Sequence, residues 1–271
     1  MPRSKQLYGI CKICREYRKL SWDHVPPKAC GNTSPVVVEK VWQLLAQGET
    51  PKGKIQQKGV GFPSICENCN NTVLGKWYDP YLAEFCQAVK RHAQTCLSVP
   101  RLGRIECFPN LVLRAVLGHL LAAKRYNHWS ELDNEFAAMV LNRHYESPKS
   151  ISVYIWLYPH IDTFVLRDFS VKLRGRISVC SFMAFFPVAF LVASLDRDHG
   201  ESPVLDVPCL DAYQRWPHFY RAAVNIPMYP IKPYGWPWHP DFSGLMLVGD
   251  EFHASNKATL KGLRARRLRK S

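Results

Sequence analysis

Acidic residues are scarce in this sequence: 22 Asp and Glu stand against 36 Lys and Arg, giving a formal net charge of +14 and a pI near 9.4. An imbalance of that size favours a polyanionic partner, either nucleic acid or an anionic membrane surface. The opening MPRSKQLYGICKIC has no apolar run of secretory length, so the protein is expected to stay in the cytoplasm. In that reducing compartment disulfides are not expected, and the ten cysteines read as metal ligands where they pair closely and as small buried hydrophobes where they stand alone. Internal repeats and low-complexity tracts are also missing. Charge is absent from one long stretch, Ile177 to Leu195, which has about the length of a membrane span. Pro187 in its middle and its dense β-branched and aromatic residues favour two buried strands hinged near Phe186 and Pro187 instead, so membrane insertion is not expected.

What is present suffices for a substantial core: 271 residues, 47% of them hydrophobic. The expected class is α+β, with a small N-terminal zinc module over 1–88, a larger body over 89–256 in which helices precede strands, and a basic tail over 257–271. Residues 7 to 28 suit a hairpin-rich segment. Ser34 as a cap, Pro35 at the first helical position and Gly48 as a stop predict a helix over 35–47. Extended chain is expected again before Cys66, then a helix broken near Asp79 and Pro80. Apolar spacing predicts helix from Pro80 to about His144, and strands over 151–195. The Pro- and aromatic-rich segment IPMYPIKPYGWPWHPDF reads as a cover on the body or as a partner surface. The last fifteen residues, KATLKGLRARRLRKS, carry seven cations and no acid, with Arg264, Arg266, Arg267 and Arg269 as candidate phosphate contacts; a solvated basic end is the plain alternative.

Two Cys-x-x-Cys pairs carry the strongest signal. Cys11 with Cys14, and Cys66 with Cys69, can each aim two thiolates at one ion, and four thiolates make the closed tetrahedral site of structural zinc. A thioredoxin-like redox role is the rival, but neither pair sits in a βαβ context. Between the pairs lies SWDHVPPK, and directly after the second stands Asn70. In extended chain, neighbours point to opposite faces, so Asp23 and His24 diverge from one strand, and Pro26 and Pro27 set where it turns.

The ordered set Cys-x-x-Cys, Asp-His-Val-Pro-Pro, Cys-x-x-Cys-Asn-Asn resembles the HNH, or ββα-metal, endonucleases, many of which add a four-cysteine zinc site. The resemblance covers roughly residues 8 to 85. It implies phosphodiester hydrolysis in DNA, with RNA left open, and a role in phage defence or in a mobile element. It also implies Asp23 as a ligand of a catalytic Mg²⁺ or other divalent ion, His24 as general base, and Asn70 as the second protein ligand. Asn71 is an alternative to Asn70, or a helix cap. Lys76 resembles a basic residue that many family members carry in this helix, a candidate nucleic-acid contact, with a solvated lysine as the plain alternative. The chemistry suits these types: neutral imidazole can activate water, and a hard cation can relieve the leaving oxygen of its charge. His92, His119 and His144 read as packed or exposed rather than catalytic, and Cys30 as a buried thiol. The family's middle asparagine has no evident counterpart between Thr33 and Glu67; Asn32 can take that part only if the loop follows a different path, and otherwise the predicted helix over 35–47 braces the site. The competing reading is a non-catalytic zinc module in a nucleic-acid-binding or scaffold protein. A homodimer or a protein partner is compatible with either.

Overall fold

The computed structural model describes residues 7–40, 53–95, 101–145, 151–173, 176–194, 219–228, 245–246 and 251–255. β1 (Tyr8–Ile10) passes through the first cysteine pair into β2 (Tyr17–His24), and the two strands are antiparallel. Arg15, with φ 63°, takes the left-handed conformation that reverses the chain between them. β2 ends just before Pro26 and Pro27, which have no N–H to continue a ladder. A single 3-10 turn, Lys28–Cys30, follows.

β3 (Val36–Glu39) stands where a helix over 35–47 was predicted. Three consecutive valines explain the correction, because β-branched side chains lose freedom in a helix and pack well on a pleated surface. Their backbone pairs antiparallel with β4 (Lys54–Gln56), while residues 41–52 lie outside the described ones. β5 (Gly61–Cys66) brings extended chain back to β2 as expected, with Asp23 opposite Phe62 and His24 opposite Gly61. The three-stranded order is β1-β2-β5.

After the second cysteine pair, Cys69–Leu74 forms a π-helical stretch and residues 75–78 a turn. α1 (Asp79–Thr95) then begins, with Pro80 in its first turn, where a missing N–H is harmless. The helical pattern expected from Pro80 to about His144 is interrupted by β6 (Leu102–Cys107), whose alternately exposed and buried residues have the two-residue period of a strand. α2 (Pro109–Ala122) starts on a proline, and α3 (Glu131–Leu141) on a reciprocal cap between Ser130 and Asp133.

β7 (Ile151–Leu157), β8 (Thr163–Leu173), β9 (Arg176–Phe185) and β10 (Val188–Ser194) confirm the expected strands, with the turn between β9 and β10 at Phe186 and Pro187. No helix among the described residues is long and apolar enough to cross a membrane. β11 (Ala222–Pro227) pairs with β6. β12 (Leu245–Met246) and β13 (Glu251–Ser255) complete an antiparallel sheet ordered β4-β3-β13-β8-β9-β10-β7, with β12 on β8. The class is α+β. Residues 229–242 of the Pro- and aromatic-rich segment, and the tail with Arg264, Arg266, Arg267 and Arg269, lie outside the described residues.

Nearly every residue of β7 and β10 is buried, so both faces of this part of the sheet are covered. α2 is buried along its whole length. α1 sets Phe85 against Phe190 of β10, ring centroids 6.4 Å apart. One contiguous apolar core runs from Cys11 and Ile13 through α1 and α2 to the large sheet. β3 and β4 belong to that same sheet, and α1 runs through position 88.

Charge is also buried where the helices meet the sheet. Asp133, at the start of α3, is fully buried and pairs with Arg167 of β8, while Lys124 Nζ donates to Asp133 Oδ2 at 2.7 Å and to Asp168 Oδ2 at 3.0 Å. Burial alone would raise the Asp133 carboxyl, but Arg167 and Lys124 outweigh it and hold it below the ordinary value. Arg167→Leu is expected to cost about 3 kcal/mol in chemical denaturation, because a buried carboxylate loses one of its two cations and keeps Lys124. In the wild type a folded-state value below the unfolded one means that Asp133 stabilises fully above the ordinary carboxylate value of 3.8 and loses this contribution as the pH falls through the folded value. A smaller pH dependence of stability below that value in Arg167→Leu is the second readout.

Candidate metal centre and the residues around Asp23

Cys11, Cys14, Cys66 and Cys69 come together as their spacing predicts, with all four sulfurs within 4.8 Å of one another. The first pair sits in the reversal between β1 and β2, where Arg15 N–H donates to Cys11 O at 2.9 Å. The second spans the end of β5 and the start of the π-helical stretch, and Cys66 N–H donates to Cys11 Sγ at 3.2 Å. A hydrogen bond from Cys69 draws the Cys11 thiol down to about 5, whereas burial pushes Cys14 up to about 11. Cys69 is pushed up, chiefly by the hydrogen bond it gives to Cys11. Four sulfurs this close cannot all carry charge by themselves. A dication removes the conflict by deprotonating and sharing them, and the cluster can hold a metal ion such as zinc.

β2 separates the Asp-His pair as strand alternation requires. Asp23 points inward and is 3% exposed; His24 is half-buried, and its Nε2 lies 3.0 Å from Lys58 O. That carbonyl orients one ring nitrogen and leaves the other for chemistry. Burial, and next the charge of Lys28, hold the His24 ring below its ordinary value, so it is neutral at neutral pH.

Asn32 carries the bracing role that the sequence assigned only conditionally. Its Nδ2 donates to Pro26 O at 2.7 Å and to Val60 O at 2.8 Å, and its Oδ1 accepts from Val60 N–H at 2.7 Å. The side chain thus ties the Pro-Pro turn to the strand that returns beside it. The loop path differs as required, because the chain leaves after Asn32 into β3 and comes back at Gly59, whose φ of +80° lets it pass close against Asn32.

Asn70 is half-buried and faces β2: its Nδ2 donates to Ser21 Oγ at 3.0 Å and to Trp22 O at 3.1 Å, beside Asp23. Asn71 and Lys76 are exposed. Cys30 is half-buried rather than fully buried, and packs against the core.

Two side chains outside the motif, His119 and Asp79, lie next to Asp23, and His119 is packed, one of the two states expected of it. His119 of α2 is fully buried, with Nδ1 3.5 Å from Asp23 Oδ2 and Nε2 2.9 Å from Asp79 Oδ1 at the start of α1. The close approach of α2 depends on Gly118, where an added Cβ would come within 2.4 Å of Leu74 Cδ2. Burial disfavours the charged ring, yet the Asp79 and Asp23 carboxylates outweigh it and hold His119 up at about 10. Burial likewise raises Asp23. The signal available in sequence was a lone histidine inside the otherwise apolar LVLRAVLGHLLAA. Asp23 Oδ2 has no hydrogen-bond partner despite its burial, which fits a carboxylate that needs a cation.

Compared with protein-family models, curated proteins and solved structures, the chain matches none.

Proposed function

We propose that this chain is a metal-dependent endonuclease of the HNH type, which hydrolyses phosphodiester bonds in DNA around a structural zinc site. The divergence of Asp23 and His24 from one strand, beside the four-cysteine cluster, carries the reading. His24 takes the proton of the attacking water, and Lys58 O keeps its ring aimed. Asp23 and Asn70 would hold a divalent ion, Asn70 through the amide oxygen left free by its two donor bonds; when bound, the ion supplies charge neutralisation to the leaving 3′ oxygen. Asn32 keeps the Pro-Pro turn from shifting His24 relative to the ion's ligands.

A groove of about 530 Å³ supports a polyanionic substrate. Lys40, Lys54 and Arg125 line it against Glu39, Trp22 opens onto it, and the buried Lys12 and Lys124 lie behind with bonds to protein oxygens. Trp22 lies two residues from His24, on the same face of β2, so a strand resting on its ring is led towards the general base. Lys54→Glu is expected to weaken DNA binding uniformly across sequences and to lower the slope of log affinity against log salt by about 1, measured by fluorescence anisotropy.

One observation favours the competing reading of a non-catalytic zinc module: Asp23 is buried against His119 instead of facing solvent. Supercoiled plasmid incubated with wild type or His24→Ala, with and without divalent ions, separates the two. The nuclease cuts and its variant does not, whereas the binding module has no cleavage to lose.

A further inference from the structure

Two buried polar atoms face each other in the interior without a hydrogen-bond partner. Asp23 Oδ2 and His119 Nδ1 lie 3.5 Å apart, and the two side chains are 4% and 0% exposed. On its other side the His119 ring is fixed, because Nε2–H donates to Asp79 Oδ1 at 2.9 Å. With the Nε2 proton committed there, a neutral ring turns the Nδ1 lone pair at the Asp23 carboxylate. Such an arrangement is repulsive in a low-dielectric interior unless a cation lies between the two atoms.

A shared proton is one such cation, but a charge-assisted N–H···O bond closes to about 2.7–2.9 Å. The observed separation is longer. It is the distance between two donors that each lie about 2.1 Å from one metal ion, at an angle close to the tetrahedral. The surroundings match a metal-bound histidine in a second respect, since such a ring commonly donates its other N–H to a carboxylate, which fixes the tautomer and strengthens the ligand.

We infer that His119 is a metal ligand: Asp23 Oδ2 and His119 Nδ1 hold a divalent transition-metal ion between them, and Asp79 secures the imidazole from behind. This rests on the reading of Asp23 as a metal ligand and adds a donor from α2, far along the chain. An imidazole nitrogen beside a carboxylate oxygen suits Mn²⁺, Fe²⁺, Co²⁺, Ni²⁺ or Zn²⁺ better than Mg²⁺, which prefers an all-oxygen shell. The site is stiff on every side: Asp23 lies on the central strand β2, Asp79 begins α1, and α2 is buried throughout, with Gly118 letting His119 reach its partners.

The test uses full-length protein with zinc on the four cysteines, titrated with Mn²⁺ and followed by electron paramagnetic resonance. One bound Mn²⁺ per chain is expected, and pulsed spectra of the wild type should show coupling to an imidazole nitrogen that survives in His24→Ala. His119→Asn should remove that coupling and weaken Mn²⁺ binding by about tenfold or more, and Asp79→Asn should weaken it by about 10–100-fold. Because the nitrogen coupling is read in the wild type, the inference stays testable if His119→Asn does not fold. Absent nitrogen coupling, with binding still abolished by Asp23→Asn, overturns His119 as a ligand and leaves Asp23 in place. Binding that Asp23→Asn does not change, or no bound Mn²⁺ at all, overturns both.

Discussion

His24→Ala is expected to lose plasmid cleavage by about 10²–10⁴-fold, the usual contribution of a positioned general base, while binding plasmid as tightly as the wild type. The expectation rests on how little else His24 does. It is half-buried at the end of β2, and its one hydrogen bond, from Nε2 to Lys58 O, joins a strand end to a neighbouring loop. Removing the ring leaves the Asn32 clamp, the four cysteines and the core untouched, so far-UV circular dichroism and zinc content should not change. Cleavage that persists at the wild-type rate would remove His24 from the chemistry. Loss of cleavage together with loss of zinc would mean instead that the variant has damaged the fold. His24→Gln is a useful companion: it retains polar volume but no base of suitable pKa, and should be as inactive as the alanine variant.

The second large effect concerns the four cysteines. Stripping a structural zinc ion with a chelator, or replacing Cys66 by Ser, is expected to unfold the β1–β2–β5 ribbon, because apparent zinc-binding energies of about 10–16 kcal/mol are also folding energies in such modules. β1 has three residues and its flank is exposed, so the ribbon has little apolar area of its own. Competition with a colorimetric chelator should release one zinc per chain, and cobalt substitution should give the absorption of tetrahedral thiolate ligation. Damage should also spread. Cys11, Ile13 and Ile65 belong to the same core as α2, so thermal unfolding of the whole chain should begin at a lower temperature once the metal has gone. Unchanged melting after complete zinc removal would show that the body holds the ribbon without help.

How much of this was legible in sequence depended on range. The cysteine spacing, the divergence of Asp23 from His24 and the strands around Pro187 are local patterns, and local patterns hold wherever neighbours in sequence decide the geometry. The segment after Ser34 misled because its capping signals were sound while its three valines preferred extended chain, and a sheet partner from the far end of the chain was available to accept them. The bracing part of Asn32 follows from the path of the loop, which no residue type announces. His119 was the hardest. In a helix of apolar residues a single histidine reads as packing, and only the approach of α2 over Gly118 shows that it lies between two carboxylates.

The pairing of β3 with β13 sets Val38 against Ala254. On the ribosome β3 emerges some two hundred residues before its partner, so the two can pair only after the strands between them have been made. Until then the inner edge of β3 offers unpaired N–H and C=O groups to any passing strand, including the β3 of another nascent chain. A chain truncated before Glu251 would keep that edge open permanently. Aggregation, rather than a smaller folded unit, is the outcome to expect from trimming this protein to its N-terminal module.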